Sequence, residues 1–315
     1  MSLLVGMDEA GYGPNLGPLI VAATAWPIAG DPAAFDPWAE FNDVAGPPSR
    51  STDRLVVADS KAVYSPGRSL VPLETTVQSF LQLCDIPAKT FSGLWSALTA
   101  GCTPHTEPAP WFQQEDITLP LEADPETIAL HTRRWQTACQ RAGLPTRPVV
   151  RATILSAAGF NEQLAVDDNK STTLSRTSLA LLASLVDPGA SDPTLVIADK
   201  HGGRNRYDGF LSEAFGDRLV FRQHETAALS CYRLGSLEIH FQAKAEEHFP
   251  VAMASMVAKY MRELSMAAFN RYWCRQSPGL KPTRGYPVDA RRFREDIAER
   301  LPQLTIPLDV FWRQR

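Results

Sequence analysis

The chain is poor in the features that fix a protein's class at once. Its five cysteines (Cys84, Cys102, Cys139, Cys231, Cys274) are scattered, odd in number and free of any CxxC pair. That argues against a disulfide framework or a zinc site and for a reducing compartment. Its six histidines fall at no ligand spacing. It has no basic excess: the net charge of -4 gives no global footprint for nucleic acid, although a local basic groove stays compatible with it. It has no long hydrophobic run. The apolar stretch near the N-terminus lacks a basic flank and breaks at Asp8, so it reads as neither a signal peptide nor a membrane span, and a cytoplasmic protein without a membrane partner is expected. Internal repeats, heptads and low-complexity blocks are also missing. What remains is ordinary for a globular protein, 315 residues with 44% hydrophobic and 21% charged side chains, enough for one large domain or two average ones.

The most informative stretch runs from Leu3 to Ala23. An apolar run reads as a buried strand and ends in two adjacent carboxylates, Asp8 and Glu9. Gly11, Gly13 and Gly17 follow with Pro14 and Pro18, and then a second strand-like run begins at Leu19. Alternation along a strand sends Asp8 and Glu9 to opposite faces, so both serve one site only where the strand ends or bends. Gly11 and Gly13 supply that bend, and their amides can approach a phosphate or sugar closely. Taken alone, an Asp-Glu pair at a strand end reads as an exposed acidic turn.

Further along, residues 27–53 are rich in Pro, Gly, Asp and Ser and read as loop. Leu55 to Ala58 leads into Asp59-Ser60-Lys61, residues 63–72 read as loop, and 73–83 fits either strand or helix. Residues 87–125 combine prolines with Phe91, Trp95, Trp111 and Phe112, which a plain linker would not carry. An insertion packed on the main body is expected there. A helix is predicted over 125–142, from Ile128, His131, Trp135 and Ala138 at spacings of three and four. A strand is expected from Val149 to Leu155, a short helix from Gly159, and a longer helix after Asn169 to Val186, stopped by Pro188 and Gly189. Thr194 to Ala198 is the clearest buried strand and closes on Asp199, followed by a basic glycine loop with Lys200, Arg204 and Arg206. Two further strands are predicted at 218–222 and 237–242, a long helix from Pro250 to about Trp273, and a helix from Val288 to Arg300. Strands and helices interleave, and the opening pair is joined too tightly for a parallel crossover, so the expected fold is α/β, a mixed sheet flanked by helices.

Asp8 and Asp199 each close a buried apolar strand. If those strands are neighbours, the two carboxylates meet at one sheet edge, where ligands of open α/β sheets commonly sit. Converging carboxylates repel, and hard cations such as Mg²⁺ relieve the repulsion. Two such ions are a standard device for displacement at phosphorus. On the long helix, Ser255, Lys259 and Glu263 fall nearly on one line, i, i+4, i+8. Small apolar neighbours surround that line, which suits a polar row facing a site better than a solvated face. Lys200, Arg204 and Arg206 are expected to contact phosphates.

Together these residues resemble the ribonuclease H type 2 and type 3 family. The carriers are Asp8-Glu9-Ala10-Gly11-Tyr12-Gly13 with Gly17-Pro18, then Asp59-Ser60-Lys61, Val196-Ile197-Ala198-Asp199, Ala254-Ser255-Met256-Val257-Ala258-Lys259 running to Glu263, and Gly285-Tyr286-Pro287, all in the family's order. The resemblance implies a ribonuclease H-like fold; a catalytic domain over 1–273 is expected, with a Pro/Trp-rich insertion at about 87–147 that exceeds the family's usual core, and a C-terminal helical, substrate-contacting segment over 274–315. It implies endonucleolytic hydrolysis of the RNA strand of RNA–DNA hybrids by a monomer, leaving a 3′-hydroxyl and a 5′-phosphate. It implies a two-metal site of Mg²⁺ or Mn²⁺ held by Asp8, Glu9, Asp199 and Glu263, all four catalytic. Gly11, Tyr12, Gly13, Ser60 and Lys61 would hold the hybrid, and Tyr286 would pack on a sugar. Two positions depart from the pattern: Tyr12 stands where type 2 enzymes usually carry arginine, and Glu263 where they usually carry aspartate. Those departures leave two alternatives open, a hybrid-binding protein that does not cut and a related nuclease acting on another nucleic-acid structure.

Overall fold

The computed structural model describes residues 1–48, 53–65, 67–87, 89–101, 109–113, 116–167, 169–216 and 218–314. In chain order the elements are β1 (Ser2–Ala10), β2 (Leu19–Ile28), α1 (Pro37–Glu40), β3 (Ala45–Gly46), β4 (Leu55–Val56), α2 (Ser60–Val63), α3 (Val71–Leu83), α4 (Phe91–Thr99), α5 (Pro110–Gln113) and α6 (Pro125–Arg141). They continue with β5 (Val149–Leu155), α7 (Ala157–Asp167), α8 (Lys170–Ala183), β6 (Thr194–Asp199), α9 (Asp208–Phe215), β7 (Phe221–Glu225), β8 (Leu229–Leu234), β9 (Leu237–Gln242), α10 (Phe249–Gln276), α11 (Pro287–Asp296) and α12 (Leu308–Phe311).

Seven of the strands form one mixed sheet in the order β5-β2-β1-β6-β9-β8-β7, while β3 and β4 pair separately. β1 is antiparallel to β2 and parallel to β6, and β6 is parallel to β9. The expected mixed sheet flanked by helices is therefore present. One core lies between the sheet and α10, with Leu4, Ala22, Trp26 and Ile197 from the strands. A second lies on the other face, with Val5, Met7, Val196 and Ala198 against α7, α8 and α9. A third joins the later half of α10 to the C-terminal segment through Phe269, Trp273, Phe293 and Phe311.

Local chemistry explains where the helices start. Asp124 caps α6, its carboxylate accepting from Thr127 N at 2.8 Å, with Pro125 in the first turn. Asn169 caps α8 through Thr172 N at 2.9 Å. Trp135 of α6 joins Trp26, Phe41 and Phe249 in one aromatic cluster. The buried carboxylate of Glu74 in α3 accepts from the backbone N–H groups of Leu121, Glu122 and Ala123 at 2.6–2.8 Å and from Tyr260 Oη at 2.7 Å. Four donors satisfy that anion, and they clamp the insertion between α3 and α10.

Several boundaries differ from the sequence expectation. The stretch read as loop contains α1 and β3, while residues 73–83, which fit either strand or helix by sequence, are helical. The strand expected over 218–222 lies at Phe221–Glu225, and β8 has no counterpart in the expected pattern. Ser230 and Cys231 break its apolar run, and Ser230 is buried because its hydroxyl donates to Asn205 O at 2.6 Å. The helix predicted from Val288 to Arg300 ends at Asp296. Cys102 and Pro66 lie outside the described residues.

The approach of α10 to β1 fixes the site. A Cβ on Gly6 would sit 2.1 Å from Pro250 C and 2.3 Å from Val251 N, so only hydrogen fits between strand and helix. Thr24 Oγ1 ties the same turn down by donating to Pro250 O at 2.8 Å. Gly6→Ala is expected to cost about 3 kcal/mol in urea unfolding, because backbone on both sides must part. Gly13→Ala, where nothing stands within 4 Å of the added carbon, is the control and is expected to change stability far less.

Candidate functional site

Strand register brings two of the acids together. β1 and β6 pair in parallel from Leu3↔Thr194 to Met7↔Ala198. The next residues, Asp8 and Asp199, are therefore level on adjacent strands. Leu4 and Ile197 face the α10 side, so alternation sends Asp8 and Asp199 to that side as well. Glu9 follows Met7 toward the second face at the strand end, as alternation requires. These carboxyl groups sense one another. Burial pushes Asp8 up to about 7, with Asp199 and Asp59 adding to the rise and a hydrogen bond from Ser255 opposing it. Burial and the charges of Asp8 and Asp199 push Glu9 up to about 8, against the pull of Lys61. Asp199 is raised too, chiefly by burial, and its carboxylate accepts from the backbone N–H groups of Lys200, Ala245 and Lys244.

Two of the surrounding groups come from α2 and α10. Ser255, 3% exposed, hydrogen-bonds Asp8, and its Oγ lies 3.1 Å from Ser60 Oγ. Ser60 is thus buried and serves as a strut between α2 and α10. Asp59 caps α2 by accepting from Lys61 N at 3.1 Å and places a further negative charge beside Asp8. Lys61 extends toward Glu9 and Asp199. Glu263 stands two turns beyond Ser255 and is held by Lys259, with Nζ to Oε1 at 2.5 Å, both beside Tyr64. A cleft of about 560 Å³ beside α2 is lined by Trp38, Arg54, Asp59 and Glu246, and among Asp8, Glu9, Asp59, Asp199 and Glu263 it reaches Asp59 alone.

The glycine loop between β1 and β2 is held by two buried arginines. Gly11 has φ +90°, and a Cβ there would meet Pro18 O at 2.5 Å. Arg262 donates to Pro18 O at 2.7 Å and to Leu16 O at 3.2 Å. Arg313 donates to Gly11 O and to Tyr12 O, and stacks 4.0 Å above the Phe160 ring. Neither guanidinium faces a carboxylate in these contacts. Burial and the charge of Arg262 pull Arg313 down to about 9. The Tyr12 hydroxyl lies against Gly202 and feels Glu9, Arg204 and Arg313. Gly13 is open on all sides, and Tyr286 is 53% exposed.

The basic loop is divided in its roles. Lys200 Nζ donates to Asn205 Oδ1, Thr226 O and Ser230 Oγ at 2.6–3.1 Å. Arg204 donates to Ser171 Oγ and Thr172 Oγ1 and lies over the Phe210 ring. Both cations are occupied within the protein. Arg206 is 79% exposed, with a loose contact of 3.8 Å to Glu225. Spacing along the chain does not distinguish these three. Sequence places Asp59 in a motif without a role of its own and gives Arg262 and Arg313 none, because their roles arise from contacts across distant segments.

The architecture defines an α/β protein with half-buried carboxylates gathered where two parallel strands end. The sequence matches no protein-family model and no curated protein. Among solved structures the chain is similar to RNase HII from Archaeoglobus fulgidus, solved in complex with PCNA, at 16% identity over 99% of this chain and 94% of that one, with a TM-score of 0.43. It is similar to ribonuclease H2 from Pyrococcus horikoshii at 14% identity over 98% and 92% of the two chains, TM-score 0.49. It is also similar to Bst-RNase HIII in complex with Mn²⁺ at 15% identity over 99% of this chain and 65% of that one, TM-score 0.43.

The donor set fits a hard divalent cation: Asp8, Glu9 and Asp199 offer oxygens only, in a place where burial and like charge make their ionised forms costly. Among the described residues these carboxylates do not form a trio with ligand atoms all within 4.8 Å of one another; the trio that does lies on β8 and β9. A pH signature follows. Asp8 and Glu9 bind protons more tightly in the folded than in the unfolded chain, so folding stability falls as pH rises from about 4 through about 8. In chelator-treated protein, Tm is expected to be higher at pH 6 than at pH 8.5. Asp8→Asn should flatten that slope, and Mg²⁺ or Mn²⁺ should raise Tm at pH 8.5 in the parent chain only.

Proposed function

We propose that this chain is a metal-dependent endonuclease that hydrolyses the RNA strand of RNA–DNA hybrids in the cytoplasm, leaving a 3′-hydroxyl and a 5′-phosphate. The observation that carries the reading is the level placement of Asp8 and Asp199 on adjacent parallel strands, with Glu9 at the strand tip and all three raised by burial. Asp8, Glu9 and Asp199 would hold Mg²⁺ or Mn²⁺, and Glu263 would join them on releasing Lys259. A pair of such ions supplies an activated water and charge stabilisation for the leaving oxygen.

The protein's own groups supply positioning. Ser255 orients the Asp8 carboxylate. The loop from Gly11 to Gly13, braced by Arg262 and Arg313, presents its backbone beside the acids, where a 2′-hydroxyl distinguishes RNA from DNA. Lys61 reaches the same place and would meet the strand backbone, while the exposed ring of Tyr286 would pack on a sugar. Arg206 is the member of the basic loop that extends to solvent and would contact a phosphate.

A second reading is supported by the tight Lys259–Glu263 pair and by Tyr12: a protein that binds hybrids without cutting them. One assay separates the two. A labelled hybrid is incubated with the protein in Mg²⁺ and in Mn²⁺, with an all-DNA duplex and a duplex carrying one ribonucleotide alongside. Cleavage of the hybrid is expected, and Asp8→Asn and Asp199→Asn should each lower its rate by at least ~10²-fold, as loss of a ligand that shapes a metal site does. Hybrid affinity without turnover in either metal favours the second reading, and equal rates for the parent chain and Asp8→Asn overturn the metal site.

The basic loop makes a separate prediction. Arg206→Gln should weaken hybrid binding and lower the slope of log K against log salt by about 1, with little change in Tm. Lys200→Gln should do the reverse, lowering Tm because three internal acceptors lose their donor.

A further inference from the structure

Toward the far edge of the sheet, β8 and β9 are antiparallel neighbours in which Cys231 pairs with His240 and Arg233 with Glu238. Tyr232, Ile239 and Phe241 face the second core. Alternation therefore sends Cys231, Glu238 and His240 to the other face of the sheet. There His240 Nε2 lies 2.7 Å from Glu238 Oε1, and Cys231 Sγ lies 4.0 Å from the same oxygen. One ligand atom from each of the three residues lies within 4.8 Å of the other two, the described set of His, Cys, Asp and Glu that meets this condition.

We infer that Cys231, Glu238 and His240 form a second metal site, for a thiophilic divalent cation of the zinc class, apart from the carboxylates at the β1–β6 edge. The inference does not depend on the nuclease reading.

Ligand chemistry selects the cation. One sulfur, one imidazole nitrogen and one carboxylate oxygen suit a borderline ion, whereas Mg²⁺ and Mn²⁺ prefer oxygen alone. Tetrahedral zinc with bonds of 2.0–2.3 Å sets its ligands roughly 3.5 Å apart, within reach of these side chains by small rotations. Access and support are both present. Cys231 is buried, while the side chain of Glu238 is 42% exposed and gives the ion a way in. Without metal the Cys231 thiol donates to Gln223 Oε1 at 3.0 Å, a contact that the sulfur–metal bond would replace. His248 is near enough to feel His240, and Gln242 Nε2 lies 2.5 Å from its ring. Three protein ligands leave a fourth position for water. On binding, the Cys231 S–H bond breaks, its proton goes to solvent, and a sulfur–metal bond forms with no change of oxidation state. Spacing along the chain shows no such pattern among the cysteines and histidines, because strand pairing brings these side chains together.

Cobalt is the probe, since a thiolate–cobalt bond gives a charge-transfer band and oxygen ligation does not. Co²⁺ is titrated into the full metal-free chain and followed by absorbance, with circular dichroism to confirm folding. The expected result is a thiolate band saturating at one equivalent, displaced by Zn²⁺, retained in Asp8→Asn and lost in Cys231→Ser. His240→Gln and Glu238→Gln, which keep the sulfur, should each weaken binding at least ~10-fold. No band in the parent chain, a band that survives Cys231→Ser, or unchanged affinity in both His240→Gln and Glu238→Gln would overturn the site and leave the trio a hydrogen-bonded cluster.

Discussion

The contact between Gly6 and the first turn of α10 sets the positions of everything around the acids. Strand and helix touch through backbone at Pro250 and Val251, and from there they run side by side. Two residues along β1, about 6.6 Å, reach Asp8, and four residues along the helix, about 6 Å, reach Ser255. The two side chains meet because the rises match. The same alignment carried further puts Arg262 against the carbonyls of Leu16 and Pro18. A helix held away by a methyl group at position 6 would lose each of these contacts in turn.

The acids and the glycine loop are balanced by different means. The carboxylates are adjacent and half-buried, and their ionised forms are penalised by burial and by one another. The loop beside them is built on two buried guanidinium groups that donate to its carbonyls. The acid cluster therefore lies next to two guanidinium groups whose hydrogen bonds here go to carbonyl oxygens, with Glu263 acting on Arg262 through its charge. The same loop is tied on its donor side as well, where the N–H groups of Asn15 and Leu16 donate to Gly285 O at 2.8 and 3.2 Å.

Much of the sheet was legible because burial leaves a local trace. Leu3 to Met7 and Thr194 to Ala198 are uninterrupted apolar runs, and each ends on an acid where the chain leaves the core. The opposed facing of Asp8 and Glu9 follows from strand alternation alone. β8 was not legible, since its buried Ser230 and Cys231 are satisfied by partners from distant segments. The charged residues were the least readable. Lys200 and Arg206 are six positions apart and alike in sequence, yet one is wrapped by three acceptors and the other reaches solvent. Ser255, Lys259 and Glu263 do lie along one side of α10, but the row divides. Its first member touches Asp8, and the other two bind each other.

The brace on the glycine loop comes from opposite ends of the described chain, with 302 positions between Gly11 and Arg313. The turn beside the first strand is therefore seated only when distant segments have folded onto it, Arg262 from α10 and Arg313 from just after α12. A variant without α12 and the residues after it keeps Asp8, Glu9 and Asp199 and lacks the guanidinium under Gly11 and Tyr12.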